Sequence, residues 1–238
     1  MASRRHHYER AFEAYLRATR RPYVSVNEAR RALLPPNADL SVRPIDADGT
    51  HGEPETLKSF DFVIYSEPAN LLLEIKGRRV GRGNDLSLTT AGRLESWVTE
   101  DDVTALSRWQ VLFRGGSAET DFRAAFVFVY WCSVQPPDAL FQEIFDYQGR
   151  WYAMRLVMLD DYAEHMKPRS RQWRTVDLPR AAFEACSRTL ASATAPGPSE
   201  ASELEAMPVR TISPTPALSR ELADVMARRQ ALRAAQQR

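Results

Sequence analysis

The stretch LLLEIKGRR, residues 71–79, combines a strongly apolar run with two charges inside it. Side chains alternate between the two faces of a strand, so Glu74 and Lys76 share a face with Leu72 and lie about 7 Å apart along the strand. A carboxylate and an ammonium in this position either form an ion pair on a half-exposed sheet face or belong to a chemical site.

The preceding segment FDFVIYS, residues 60–66, predicts the other arm of a β-hairpin. Both arms are rich in β-branched and aromatic residues, and the connection between them contains a proline typical of turns. The pairing that places Tyr65 opposite Asn70 also places Asp61 opposite Glu74. Alternation along the first arm then puts Asp61 and Val63 on one face, and Phe60, Phe62 and Ile64 on the other.

Two carboxylates on opposed residues repel each other unless a positive charge lies between them. Directly opposed residues have Cβ atoms roughly 5 Å apart, and a hard divalent cation with oxygen ligands would satisfy Asp61 and Glu74 together. Lys76, further along the same face, would then orient or activate a water molecule bound to the metal. A slip of the register by one residue would turn these side chains to opposite faces and remove the site.

An aspartate, a hairpin and then Glu-x-Lys in an apolar strand form the core of the PD-(D/E)xK nuclease superfamily, which this sequence resembles. The resemblance implies an α/β, restriction-endonuclease-like fold, with a mixed central β-sheet flanked by helices. It also implies hydrolysis of nucleic-acid phosphodiester bonds with Mg²⁺ or Mn²⁺ as cofactor. Asp61, Glu74 and the carbonyl of Ile75 would bind the metal, and Lys76 would assist the attacking water. The proline that often precedes the aspartate is replaced here by Phe60.

Resolvase-like members of the superfamily also carry a glutamate on a helix before the first strand. Residues 6–20 show the apolar spacing of such a helix, and Glu9 and Glu13 share one of its faces. Glu9 would complete the catalytic group, and Glu13 would be a further metal ligand. The motif HYERAFE, residues 7–13, resembles the signature of the HYExAFE family, a small bacterial family without an established activity, so this second resemblance implies no mechanism.

The net charge of +1 excludes a protein that coats nucleic acid indiscriminately, but basic residues cluster locally. The loop GRRVGRGN, residues 77–84, would bring Arg78, Arg79 and Arg82 to the nucleic-acid backbone, or would serve only as a flexible connection. A further basic cluster, KPRSRQWR, begins at Lys167.

The rest of the chain up to residue 192 predicts further strands and helices of the same domain. Residues 124–134 read as a central strand buried on both faces, and residues 141–159 read as a hairpin that turns at Gln148 and Gly149. Asn27 is the predicted cap of a short helix. Gln110, on a helix predicted over residues 99–113, would support the metal site as glutamine does in some nuclease families, or would be an ordinary residue of the helix surface.

Residues 193–217 are dense in Pro, Ser and Ala and predict a disordered linker. Residues 218–238 predict a C-terminal helix that docks on the domain, binds a partner, or does neither. Residues 1–192 would therefore form the nuclease-like domain.

No apolar run approaches the ~20 residues of a membrane helix, and no hydrophobic segment follows the basic N-terminus as in a secretory signal. Cys132 and Cys186 lie far apart and match no metal-binding spacing. We therefore expect a cytoplasmic protein whose partner is nucleic acid, DNA rather than RNA, and not a membrane. The resolvase-like resemblance implies a homodimer. The alternative is a catalytically inactive nucleic-acid-binding or scaffolding module on the same fold.

Overall fold

A computed structural model describes residues 6–34, 40–43, 49, 52–67, 69–80, 94–116, 121–132 and 143–194. Its helices are α1 (His6–Ala18), α2 (Val26–Leu33), α3 (Glu100–Gly116), α4 (Leu159–His165), α5 (Arg180–Cys186) and α6 (Leu190–Ala193). Its strands are β1 (Tyr23–Ser25), β2 (Ser41–Val42), β3 (Glu55–Thr56), β4 (Phe62–Ile64), β5 (Asn70–Arg79), β6 (Val98–Thr99), β7 (Phe122–Cys132), β8 (Glu143–Tyr147), β9 (Arg150–Met158), β10 (Lys167–Ser170) and β11 (Thr175–Asp177).

A six-stranded sheet with the strand order β1-β4-β5-β7-β9-β8 lies at the centre of the fold. The two middle strands, β5 and β7, are parallel and pair from Asn70 opposite Phe122 to Arg79 opposite Trp131. All other neighbours in this sheet are antiparallel. The expectation of an α/β protein with a mixed central sheet flanked by helices is therefore confirmed.

Hydrophobic side chains form one core on each face of the sheet, which explains the run of three leucines in β5. Leu72 faces the core that contains Phe126 and residues of α3, α4 and α5. Leu73 faces the other core, where Phe12 and Leu16 of α1 pack. Because the strand is covered on both faces, its polar residues are the exception that needs a reason.

The hairpin formed by β4 and β5 has the predicted register, with Val63 opposite Leu72 and Phe62 opposite Leu73. Strand β4 begins only at Phe62, however, and Asp61 lies in the bend before it. This bend interrupts the alternation, so Phe60 packs in the same core as Leu72 and not in that of Phe62. The prediction of a common face for Phe60 and Phe62 is wrong for this reason.

Two turn-and-cap predictions have opposite outcomes. The hairpin between β8 and β9 turns at Gln148 and Gly149, both with positive φ, as a two-residue hairpin turn requires. Asn27 is not the cap of α2, because the helix begins directly after β1 with Ser25 at the N-cap position. The first N–H of this helix, that of Val26, donates to the carbonyl of Asp61.

Several expectations fall on parts of the chain outside the described residues. These are Arg82, the linker from residue 195 onward and the C-terminal helix of residues 218–238. Among the residues that the structure does describe, no helix has the length and apolar character needed to cross a membrane.

Candidate functional site

Asp61 joins the two arms of the hairpin through its side chain as well as its backbone. Its N–H donates to the carbonyl of Leu73 at 3.0 Å. Its Oδ2 accepts the N–H of Ile75 at 2.7 Å, one step beyond the last residue pair of the ladder. The Asp61 carboxyl group thus accepts the hydrogen bond that a strand partner would otherwise accept from Ile75. This contact holds the Asp61 side chain beside Glu74 and Lys76 of β5.

Glu74 and Lys76 form the ion pair that their spacing predicts, with 2.8 Å between Nζ and Oε1. Their side chains are only 13% and 14% exposed, so the pair is shielded from water and does not lie on a half-exposed face. A shielded pair needs further polar partners, because removing two charges from water costs more than a single contact returns.

Asp102, in the first turn of α3, supplies that further partner. Its Oδ2 lies 2.7 Å from Nζ of Lys76, and Lys58 binds the same carboxylate from the other side. Thr99 and Asp102 also form reciprocal capping hydrogen bonds at the start of the helix, of 3.0 and 3.1 Å. Asp102 was not among the predicted site residues, although the capping pattern and acidic first turn were visible in the sequence.

Burial shifts the pKa of both hairpin carboxyl groups in the same direction. Burial raises the pKa of Asp61 to about 8, and the nearby carboxylates of Glu74 and Glu9 add to this shift against the opposing N–H of Ile75. Burial also raises the pKa of Glu74, with Lys76 opposing it. Asp61 is therefore the carboxyl group that the fold holds at the highest cost when it is ionised.

Lys76 and Asp102 behave in the opposite way. Burial disfavours the charge of Lys76, but Glu74 and Asp102 outweigh it and raise the pKa of the ammonium above its usual value. Burial of Asp102 is likewise outweighed, by Lys76 and Lys58, and the pKa of this carboxyl lies well below its usual range. Each of these groups is stabilised in its charged form by its partner.

Oxygen donors for a metal ion come together at Asp61. Asp61 lies in the bend before β4, Glu74 lies within β5 close enough to raise the pKa of Asp61, and the N–H of Ile75 donates to the Asp61 carboxylate. Because the N–H and C=O of one strand residue face the same neighbour, the carbonyl of Ile75 faces this side as well. Such all-oxygen donors suit Mg²⁺, which often takes one or two carboxylates and completes its shell with water and substrate phosphates. Over the described ranges, no group of three or more His, Cys, Asp or Glu side chains is arranged to hold a metal by itself.

The structure separates the two glutamates of α1. Glu9 lies close enough to Asp61 to raise its pKa. Glu13 accepts hydrogen bonds from Arg17 at 2.6 Å and from the hydroxyl of Tyr23 at 2.9 Å. Of the two glutamates of α1 that were predicted at the site, Glu9 is therefore the one that lies near the Asp61 carboxyl group.

Tyr8 sets the position of α1 over β5. A Cβ atom added to Gly77 would overlap the ring of Tyr8, so the absence of a side chain at Gly77 lets the helix approach the strand. This close approach brings the neighbouring Glu9 towards the end of the hairpin. Gly77 therefore acts in packing, and the glycine after Lys76 is not a feature of a phosphate-binding loop.

Arg78 was predicted to contact nucleic acid, but its guanidinium binds other parts of the protein. It donates to the carbonyl of Gly77 at 2.9 Å and to the carbonyl of Trp97, and it stacks on the Trp97 ring at 4.1 Å. These contacts connect β5 to the segment that leads into β6.

Arg79 points to the opposite face and is exposed. Its guanidinium lies 4.7 Å from the centre of the Trp131 ring, and that of Arg150 lies 5.2 Å from the same centre. Arg78 and Arg79 are the two arginines of the predicted loop that the structure describes. Of these, Arg79 is the more exposed and is therefore better placed to contact a phosphate.

Gln110 is buried, so its interpretation as an ordinary helix-surface residue is wrong. Its side-chain oxygen accepts the N–H of Ala124 in β7 at 2.6 Å, and its amide donates to Asp160 in α4 at 3.2 Å. These hydrogen bonds hold α3 against the sheet and against α4, and neither is made to Asp61 or Glu74.

No protein-family model matches the chain, and no curated protein matches it significantly.

Proposed function

We propose that this protein is a divalent-metal-dependent nuclease with a restriction-endonuclease-like fold of the PD-(D/E)xK kind, acting on DNA. The observation that supports this proposal is the position of the Asp61 carboxyl, bound to the N–H of Ile75 and next to Glu74 at the end of the β4–β5 hairpin. Asp61, Glu74 and the carbonyl of Ile75 would hold Mg²⁺ or Mn²⁺, and Glu9 would lie in the outer part of the site.

The bound metal would make hydroxide available near neutral pH and stabilise charge on the phosphate. In the chain itself, Asp61 and Glu74 supply the negative charge that the cation requires. Lys76 stays charged because its pKa is raised by Glu74 and Asp102. It is therefore a hydrogen-bond donor that orients water or a phosphate oxygen, and it does not accept a proton from water near neutral pH.

A catalytically inactive binding or scaffolding module is the alternative, and one observation favours it. Lys76 makes ion pairs with both Glu74 and Asp102, and the Glu74–Lys76 pair is largely shielded from solvent. A network that satisfies its own charges can serve stability alone. The position of Asp61 favours the nuclease, because burying a further carboxyl group adds nothing to such a network.

The decisive experiment compares wild type with Asp61→Asn in a nuclease assay on single-stranded and duplex DNA and RNA, with Mg²⁺ or Mn²⁺. The amide retains an oxygen that can accept the N–H of Ile75, so the variant should fold. We expect its metal-dependent cleavage rate to fall by about a hundredfold or more. Binding of Mn²⁺, followed by calorimetry, should be lost in parallel.

Glu9→Gln and Glu13→Gln form a matched pair on the same helix. Glu9→Gln should reduce cleavage, while Glu13→Gln should leave it at the wild-type level, since Glu13 is bound to Arg17 and Tyr23. Absence of metal-dependent cleavage in purified wild type on all four substrates would favour the inactive module. Equal activity in wild type and Asp61→Asn would overturn the proposed site.

A further inference from the structure

A cavity of about 550 Å³ lies at the base of the β10–β11 hairpin. Its lining residues are Lys167, Pro168, Arg169, Asp177, Pro179 and Arg180. The lining thus combines three cationic side chains with one carboxylate, and two of the cations belong to the basic cluster that begins at Lys167. The candidate metal site uses none of these residues.

The single carboxylate of the lining is already bound by the protein. Asp177 is buried, and its Oδ1 accepts the hydroxyl of Ser96 at 2.7 Å. Its Oδ2 lies 3.8 Å from a guanidinium nitrogen of Arg169. The charge of Asp177 is therefore partly offset, and the open part of the cavity is cationic.

Arg169 and Arg180 each also form an exposed ion pair. Arg169 pairs with Glu95 at 3.2 Å, and Arg180 pairs with Glu184 at 2.8 Å, with all four side chains at least 40% exposed. Such pairs contribute little because water screens them. A phosphate, with more charge and more acceptor oxygens than a carboxylate, can displace them.

The cavity is connected to the candidate metal site through one tryptophan. Arg169 lies 5.6 Å from the centre of the Trp97 ring, and Arg78 lies 4.1 Å from it. Arg78 follows Lys76 by two residues on the same face of β5. The cavity and the candidate site therefore lie on the same side of the sheet.

The hairpin above the cavity also presents an aromatic ring to solvent. Trp173, in the turn between β10 and β11, is 71% exposed. Cationic grooves that bind nucleic acid often include an exposed aromatic side chain on which a base can stack. A nucleobase is a stacking partner that fits an exposed aromatic ring on a basic surface.

We propose that this cavity binds a backbone phosphate of the nucleic-acid substrate, at a nucleotide away from the bond that is cleaved. Lys167, Arg169 and Arg180 contact the phosphate, and Trp173 contacts a base of the same strand. The substrate class rests on the proposed nuclease function, while the phosphate contact rests on the cavity itself.

The test is binding of short fluorescein-labelled DNA, single-stranded and duplex, followed by fluorescence anisotropy in EDTA so that cleavage does not interfere. The Lys167→Gln/Arg180→Gln variant removes two exposed charges. We expect it to bind several-fold more weakly and to lower the slope of log Kobs against log salt by about one.

A matched control removes the same charge elsewhere. Arg114 and Arg123 are exposed and lie around Asp121, at the end of β7 opposite to the cavity. Arg114→Gln/Arg123→Gln should keep the wild-type slope and affinity. Trp173→Ala should weaken binding to single-stranded DNA without changing the salt slope, because stacking releases no counterions.

Equal slopes in wild type and the cavity variant would overturn the phosphate site, and so would a wild type that shows no salt-dependent binding. If wild type cleaves nucleic acid but the cavity variant binds DNA as well as wild type does, the phosphate site is excluded and the nuclease proposal stands. If binding depends on the cavity but wild type cleaves no substrate, the nuclease proposal fails and the phosphate site stands. The two proposals can therefore fail separately.

Discussion

Replacing Asp61 with asparagine should make the metal-free protein more stable near neutral pH. Burial and the neighbouring carboxylates of Glu74 and Glu9 raise the pKa of Asp61 in the folded protein. The unfolded chain has no such environment, so its Asp61 ionises at the ordinary value. The folded state therefore binds more protons than the unfolded state, and the free energy of unfolding falls as the pH rises through this interval.

The size of the effect follows from the two pKa values. Asp61 has a pKa of about 8 in the folded protein and about 4 in the unfolded chain. Each pH unit in this interval is worth about 1.4 kcal/mol for one group, so stability should fall by up to about 3 kcal/mol between about pH 5 and about pH 7.5. Asp61→Asn removes this term, and its amide oxygen can still accept the N–H of Ile75.

Urea unfolding of wild type and Asp61→Asn in EDTA, at about pH 5 and about pH 7.5, measures the term directly. Titrating groups that do not interact with Asp61 are common to both proteins and cancel in the difference. The variant should gain stability relative to wild type as the pH rises. A difference that does not vary with pH, or that varies in the opposite direction, would refute the environment inferred for Asp61.

Three further predictions concern packing around the site. Asp102→Asn removes a partner of two lysines and should lower the free energy of unfolding by about 3 kcal/mol. Asp101→Asn, an exposed change in the same helical turn, should cost under about 1 kcal/mol in the same urea experiment, and equal losses would contradict the buried network. Gly77→Ala should lose about 1–3 kcal/mol because the new methyl group overlaps the ring of Tyr8. A double-mutant cycle with Tyr8→Ala should then show coupling, and strictly additive losses would exclude this contact. Gln110→Ala should cost about 1–3 kcal/mol, because a buried N–H loses its acceptor, while cleavage per folded molecule stays at the wild-type level. Lost cleavage in a folded Gln110→Ala protein would instead place Gln110 in the site.

Alternation and turn chemistry were sufficient to predict the hairpin. The apolar residues of β4 and β5 specify one register, since a slip by one residue would move them between the two cores. The same local signals predicted the central strand β7 and the turn at Gln148 and Gly149. These features depend on neighbours in the sequence or on one strand pair, so a single sequence contains enough information for them.

The bend at Asp61 depends on contacts from a distant part of the chain. The carbonyl of Asp61 accepts the N–H of Val26, which begins α2 directly after β1. Because of this contact, β4 begins only at Phe62, later than the pattern suggests, and Phe60 turns to the other core. No periodicity in residues 60–66 contains that information.

The partner of Lys76 could not be predicted for a similar reason. The first turn of α3 contains Glu100, Asp101 and Asp102, and all three suit a helix N-terminus equally well. Only the packing of α3 on the sheet selects Asp102 to face Lys76, while Asp101 remains exposed. The same packing buries Gln110, about two turns further along the helix.

The charged groups around Lys76 divide into a set in which cations and anions balance and one additional carboxyl group. Lys58 and Lys76 match Asp102 and Glu74, and the raised pKa of Lys76 and lowered pKa of Asp102 show that these pairs support each other. Asp61 adds a carboxyl group that has no cation of its own in this set and that destabilises the fold when ionised. A residue that lowers stability where an amide would not is expected at a site that serves function. Charge removal at Lys76 or Asp102 should therefore cost stability, whereas charge removal at Asp61 should cost only metal binding and cleavage.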